Sequence, residues 1–198
     1  ILSLTIKRLL GSLSVILTVL CTVERIVMLK RFMTVCTVVF IAACTGLPDN
    51  VEPVRNFDPE RYLGTWYEIA RLDHSFERDL ERVTATYELN DDGSIAVLNK
   101  GFNTEKGEWR QAEGVAKPMG SSDIGHLKVS FFGPFYGTYA VFELADDYSY
   151  AFVSGYNTDY LWLLAREPQI SVDVRERFMA RSQALGFDTA DLIWVATE

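Results

Sequence analysis

The chain has 198 residues, 48% of them hydrophobic and 13% aromatic, a length that suits one domain plus a targeting segment. Residues 44–198 hold 14 bases and 26 acids, a net charge of −12, which makes this part a poor partner for nucleic acid. An anionic membrane surface would repel it, so membrane attachment needs an apolar anchor. The three cysteines, Cys21, Cys36 and Cys44, leave none for a disulfide in the rest of the chain, and with two histidines we expect neither a metal nor a cofactor.

Residues 28–43 have the order of a secretory signal peptide: a short basic start, an apolar run and small residues before Cys44. The ending Ile41-Ala42-Ala43-Cys44 resembles a bacterial lipobox, which implies that the preceding peptide is removed and that Cys44 is acylated. Two or three acyl chains give stable anchoring where one does not. Thr45, in place of an aspartate, favours the outer membrane. The alternative is an ordinary cleaved signal with an incidental cysteine.

A second apolar run, residues 9–20, lies further upstream. We expect residues 1–27 to be an extension outside the natural product, with Met28 as its start. The alternative is a transmembrane or second signal-like segment, although the run is short and contains serine and threonine. Residues 44–54 are rich in glycine, proline, aspartate and asparagine and predict a flexible tether after the lipidated Cys44. Residues 55–198 form the predicted folded domain.

The folded domain is divided into short strand-like segments by turn residues. In residues 82–89 apolar side chains occupy every second position, the period of a strand with one buried face. Consecutive hairpin-linked strands predict an all-β, eight-stranded, up-and-down antiparallel barrel, since closure removes exposed edges and leaves room for one small ligand. The predicted strands are residues 62–71, 82–89, 94–102, 108–117, 125–132, 138–144, 148–155 and 160–166.

One helix is predicted after the eighth strand. It begins near Ser171 and ends before Gly186, and its apolar face includes Phe178. We expect this helix to pack against the outer wall of the barrel. Residues 187–195 predict a short final strand, with Trp194 packed on the helix or on the wall.

Two motifs about a hundred residues apart carry a family resemblance. Gly64-Thr65-Trp66 opens the first strand, and the late segment 158–166 ends in Arg166. In this order, with strands between them, they resemble the lipocalin signature. In that family the tryptophan closes one end of the barrel and the arginine packs across it, a favourable placement of a guanidinium on an indole face. The resemblance implies that Gly64, Trp66 and Arg166 are structural rather than ligand contacts.

Two further segments, residues 57–62 and 128–137, resemble the bacterial lipocalin branch, a group of outer-membrane lipoproteins close to apolipoprotein D. The resemblance covers residues 53–198. It implies a barrel with one C-terminal helix outside it, which binds a fatty acid or a phospholipid, lysophospholipid especially, in cell-envelope maintenance or stress. It also implies attachment to the outer membrane, facing the periplasm.

Strand parity predicts which side chains point into the barrel. If Trp66 points inward, so do Glu68 and Ala70, and Arg166 places Trp162 on the same inner face. We expect Glu68 to form an internal salt bridge near Arg166, since an unpaired buried carboxylate is costly, or to meet a polar head group. The predicted ligand contacts are Trp162, Phe131, Val129, Tyr139, Tyr87, Val97, Ala112 and Tyr160. Trp162 and Phe131 are the first choices for an acyl chain, the alternative being that inward aromatics fill the barrel.

Two loops complete the candidate features. The hairpin tip with Phe132, Phe135 and Tyr136 suits the cavity mouth, a membrane contact or a homodimer contact, and the sequence does not choose among them. We expect His74 to lie on the surface, in a loop after the first strand.

The sequence favours a carrier over an enzyme. Residues 45–198 contain no cysteine and no Gly-x-Ser-x-Gly nucleophile motif, and no carboxylate pair stands out as catalytic. The alternatives are an enzyme built on the lipocalin barrel and a structural envelope lipoprotein with a filled barrel.

Overall fold

A computed structural model describes residues 46–197 of the chain. The predicted extension 1–27, the signal peptide 28–43 and the lipidation site Cys44 lie outside the described residues. None of the described helices is long and apolar enough to cross a membrane. The elements in chain order are α1 (Pro59–Tyr62), β1 (Gly64–Arg71), β2 (Leu80–Leu89), β3 (Ile95–Asn103), β4 (Glu108–Pro118), β5 (His126–Phe132), β6 (Phe135–Leu144), β7 (Tyr150–Ser154), β8 (Leu161–Ala165), α2 (Val172–Ala184), a 3-10 turn (Thr189–Asp191) and β9 (Ile193–Trp194).

Strands β1 to β8 form a closed antiparallel barrel. Each strand pairs with its neighbour in sequence, and β1 pairs with both β2 and β8, which closes the sheet. β9 adds two residues beside the end of β1. The predicted eight-stranded up-and-down barrel is therefore confirmed. Tyr62, predicted in the first strand, is instead the last residue of α1. The Asp58 carboxylate caps the start of this short helix by accepting hydrogen bonds from the amides of Glu60 and Arg61.

The apolar side chains form two layers, one inside the barrel and one between its wall and α2. In the outer layer Phe178 of α2 is fully buried, with its ring 5.0 Å from that of Phe152 on β7. Trp194 lies under the helix, and the Arg175 guanidinium lies 3.8 Å from its ring centre. The prediction of a single C-terminal helix outside the barrel is confirmed.

The closed end of the barrel is built around Trp66, which is fully buried. The Arg166 guanidinium lies 4.0 Å from the Trp66 ring centre and donates to the carbonyls of Thr65 and Arg61, at 3.0 and 2.8 Å. Trp66 Nε1 donates to the Tyr62 carbonyl at 2.8 Å. Gly64 enters this end with φ +91°, in the region that favours glycine, and a Cβ there would lie 3.4 Å from Arg166 Nη1. The Trp66 and Arg166 side chains thus hold together α1, the start of β1 and the chain that follows β8.

A bulge in β1 reverses the strand parity beyond Glu68. Glu68 lies opposite Leu164, but Ala70, not Ile69, lies opposite Leu163. Ala70 therefore packs in the outer layer, and Arg71 faces inward opposite Trp162. The expectation that Ala70 lies inside is wrong, because a period-two count cannot anticipate an inserted residue.

Arg166→Met tests whether this contact holds the closed end. Loss of the cation–π contact and of two charge-assisted hydrogen bonds should lower the free energy of unfolding by about 2 kcal/mol. Urea denaturation of the variant and the native protein measures the difference. Arg78→Met is the control, since its ion pair with Asp73 is exposed, and it should destabilise far less. Equal losses in the two variants would contradict a special role for Arg166.

Candidate ligand-binding cavity

A cavity of about 90 Å³ occupies the barrel above Trp66 and opens at the opposite end. Its lining is mostly apolar and comes from strands all around the barrel. The lining residues are Glu68, Phe76, Glu77, Ala85, Tyr87, Val97, Asn99, Ala116, Leu127, Val129, Phe131, Thr138, Tyr139, Trp162 and Leu164. Such a narrow apolar space suits a flexible single chain better than a wide rigid ligand.

The structure brings together most of the residues selected by strand parity. The cavity-lining ones are Trp162, Phe131, Val129, Tyr139, Tyr87 and Val97. Ala112 lies opposite Asn99 on the inward side of β4, but it precedes Val115, the first residue of β4 that pairs with β5. It is therefore exposed and does not line the cavity. Tyr160 lies at the mouth, with its ring 6.1 Å from that of Trp162. Ala112 and Tyr160 are thus not among the residues that line the cavity, and their contact with a ligand stays a prediction.

Three tyrosine hydroxyls form a layer between Trp66 and the cavity. The Tyr139 hydroxyl lies 2.7 Å from that of Tyr62 and 3.0 Å from that of Tyr87. Desolvation raises the pKa of all three phenols, so they remain neutral and bond one another. The bottom of the cavity is therefore polar, with its three hydroxyls linked by two hydrogen bonds.

A second polar cluster lies in the wall below the mouth. Arg71 Nη1 donates to Glu68 Oε1 at 2.7 Å, and Arg71 Nη2 donates to the carbonyls of Glu77 and Leu80 at 2.9 and 3.1 Å. Trp162 Nε1 donates to Glu77 Oε2 at 3.1 Å. The partner of Glu68 is thus Arg71 and not Arg166, as a result of the bulge that turns Arg71 inward. Arg71 ties the loop between β1 and β2 to the barrel.

His74 belongs to this cluster and is buried, with 6% of its surface exposed, so the expectation of a surface histidine is wrong. Its ring stacks on Phe76 with centres 3.9 Å apart. Its Nε2 lies 3.1 Å from Glu77 Oε2, a close contact whose geometry is too poorly aligned for a hydrogen bond. No periodic pattern marks the loop, so nothing in the sequence signals that it folds back over the mouth.

The two buried carboxyl groups differ in their proton affinity. Burial, together with the nearby Glu77, raises the pKa of Glu68 well above its usual value. Burial also acts to raise the pKa of Glu77, but His74, Trp162 and Arg71 outweigh it and hold that pKa below its usual value. Glu68 therefore holds its proton more readily than Glu77, although both lie beside Arg71.

The described residues contain no group of three or more histidine, cysteine, aspartate or glutamate side chains that could hold a metal ion. The cavity itself offers an apolar lining that can bury an apolar chain, with hydroxyl groups at the bottom and carboxyl groups near the mouth.

Comparison with known proteins matches residues 57–197 to a family model described as a lipocalin-like domain. A protein named outer membrane lipoprotein Blc from Vibrio cholerae serotype O1 is 54% identical over 165 residues, covering 83% of this chain and 96% of that protein. The Escherichia coli K12 protein of the same name is 52% identical over 157 residues, covering 78% and 89%. Rat apolipoprotein D is 38% identical over 128 residues, covering 58% and 64%.

Among solved structures, insecticyanin from the tobacco hornworm Manduca sexta resembles this fold with a TM-score of 0.64 and 21% identity, covering 77% of this chain and 87% of that one.

The raised pKa of Glu68 predicts how stability depends on pH. A group whose pKa is higher in the folded than in the unfolded state gives full stability below the unfolded value, about 4.3, and loses it as pH rises through the folded value. As pH rises above about 4.3, the native protein should lose stability relative to Glu68→Gln, by at most about 1.4 kcal/mol per pH unit. Urea denaturation of both proteins across this range measures the difference.

Glu77 affects the free energy of unfolding in a different pH range, so it does not obscure the difference between the native protein and Glu68→Gln. Its lowered pKa gives stability that is present above the unfolded value and lost as pH falls below it. Parallel stability profiles for the native protein and Glu68→Gln would contradict a raised pKa of Glu68.

Proposed function

The chain belongs to the lipocalin family, and from that premise we propose that it is a lipid-anchored outer-membrane carrier for a single-chain amphiphile, a fatty acid or a lysophospholipid. The observation that carries the proposal is the narrow apolar cavity between the tyrosine layer and the mouth. It favours a carrier over a barrel filled by its own side chains and over an enzyme.

Burial of acyl methylenes supplies the binding energy. Each buried methylene contributes about 0.8 kcal/mol, so about ten of them would supply the roughly 8 kcal/mol of micromolar affinity. Trp162 and Phe131 line the cavity together with the smaller apolar side chains of Val129, Val97 and Leu127. The chain enters tail first, and its head group stays at the mouth, near Glu77.

The proposed anchor follows from the leader and from the relatives. In this proposal residues 28–43 are a signal peptide that is removed, and Cys44 carries the acyl chains. The match to the Vibrio cholerae outer membrane lipoprotein over 96% of its length supports this organisation. Residues 45–54 then join the lipid to the barrel.

Trp162→Ala and Trp194→Ala are a matched pair that tests the cavity. Both indoles are half-buried, but Trp162 lines the cavity, whereas Trp194 packs outside the barrel on α2. Titration with a fluorescent lysophospholipid should show binding at least tenfold weaker in Trp162→Ala and nearly unchanged binding in Trp194→Ala. Equal weakening in both would contradict the assignment of the cavity.

Val129→Trp provides a second variant that leaves the polar cluster intact. Its larger side chain would fill part of the cavity, and displacing two methylenes costs about 1.6 kcal/mol, more than tenfold in affinity. Leu98→Trp, on the exposed outer face of β3, is the control. Unchanged binding in a folded Val129→Trp protein, as judged by its melting temperature, would place the ligand elsewhere.

A further inference from the structure

The most exposed aromatic side chains of the described residues lie around the open end of the barrel. β1 starts at the closed end, so the mouth is formed by the loops after β1, β3, β5 and β7. The exposed fractions are 56% for Phe76, 50% for Trp109, 81% for Phe132, 74% for Phe135 and 37% for Tyr156. These five residues are here termed the aromatic rim. The closed end carries an exposed leucine, Leu89, but no ring among the most exposed side chains described.

The start of the described chain lies on the mouth half of the barrel wall. Val54 donates its amide to the Val141 carbonyl at 2.8 Å, and Gly46 accepts from the Thr138 hydroxyl at 2.8 Å. β6 runs from the mouth at Phe135 to the closed end at Leu144. The segment traced back from Val54 to Gly46 therefore approaches the mouth.

Cys44 precedes Gly46 by two residues, and two residues span at most about 7 Å. Thr138 lies three residues from Phe135, about 10 Å along a strand. Acyl chains on Cys44 would thus leave the protein at the level of the aromatic rim, and not at the closed end.

We propose that the barrel docks mouth-first on the phospholipid surface that holds the Cys44 acyl chains, with the aromatic rim inserted at the boundary between head groups and acyl chains. The inference rests on the proposed lipid anchor. Aromatic rings are favoured at this boundary, and a soluble surface rarely gathers so many exposed rings at one end. A water-facing mouth would leave all five exposed.

One lysine lies beside the hairpin that carries Phe132 and Phe135. Lys128 Nζ lies 5.1 Å from the ring centre of Tyr136 in that hairpin, where it can meet a lipid phosphate. Lys117, its partner across the strands, is the second-last residue of β4 and lies toward the closed end.

Docking in this orientation gives the ligand a dry route. Phe76 is 56% exposed and also lines the cavity, so one ring faces both the membrane and the ligand space. An acyl chain leaving the bilayer would pass along Phe76 into the barrel without crossing water, which removes the cost of exposing its methylenes.

Depth-dependent quenching tests the orientation. The protein, acylated on Cys44, is placed in phosphatidylethanolamine–phosphatidylglycerol vesicles whose acyl chains carry bromine. A fluorophore is attached at Phe132→Cys in one sample and at Leu89→Cys in the control; because no cysteine follows Cys44 in the chain, each label is unique. We expect several-fold stronger quenching at position 132 than at position 89. Equal quenching would overturn the proposal.

The same samples separate membrane docking from self-association. A label at position 132 that is shielded from aqueous iodide but is not quenched by brominated chains would mean that a second copy of the chain covers the rim, and would overturn the proposal. Quenching at position 132 without any uptake of lysophospholipid would support docking while contradicting the carrier function.

Ligand transfer gives an independent readout. In the double variant Phe132→Ser/Phe135→Ser, transfer of a fluorescent lysophospholipid from vesicles should slow about fivefold or more, while its equilibrium affinity in solution stays unchanged. Leu89→Ser is the control and should transfer at the native rate. Native transfer rates in the double variant would overturn the proposal.

Discussion

A closed barrel can bind a ligand only if one end is sealed and the other is open, and the contact between Arg166 and Trp66 decides which end is sealed. The guanidinium covers the indole and bonds the carbonyls of Thr65 and Arg61, so the entry to β1, the end of β8 and the short helix before them become one unit. With that end filled, the remaining space lies above it and opens at the opposite loops. The cavity, the mouth and the aromatic rim all follow from this polarity.

The polar groups of the interior are gathered into two bonded sets. The three tyrosine hydroxyls bond one another at the bottom of the cavity, and Arg71 bonds the Glu68 carboxylate and the Glu77 carbonyl in its wall. A buried charge without a partner would cost several kcal/mol, and the contact between Arg71 and Glu68 reduces that cost. The same cluster holds the loop with His74 and Phe76 over the mouth. The polar groups thus shape the entrance and leave the acyl space apolar.

The sequence predicts the regular parts of this structure well. Two motifs and a period-two pattern indicate the barrel, its sealed end and six of the cavity residues. The failures have local causes. A bulge after Glu68 turns Ala70 outward and Arg71 inward, which changes the partner of Glu68. Ala112 has the parity of an inward-facing residue but lies beyond the end of β5, and strand parity does not indicate position along the barrel axis. His74 is buried because the loop between β1 and β2 folds back over the mouth, and this loop has no periodic pattern of apolar residues from which its path could be predicted.

The proposed carrier combines a narrow cup, a short lipid tether and a mouth that faces the lipid source. The cup is proposed to hold one acyl chain. Native mass spectrometry of the protein incubated with lysophosphatidylethanolamine measures this occupancy. We expect one added single-chain lipid per protein, lost or much reduced in Val129→Trp. A protein that remains free of lipid, or a variant that binds as much as the native chain, would contradict it.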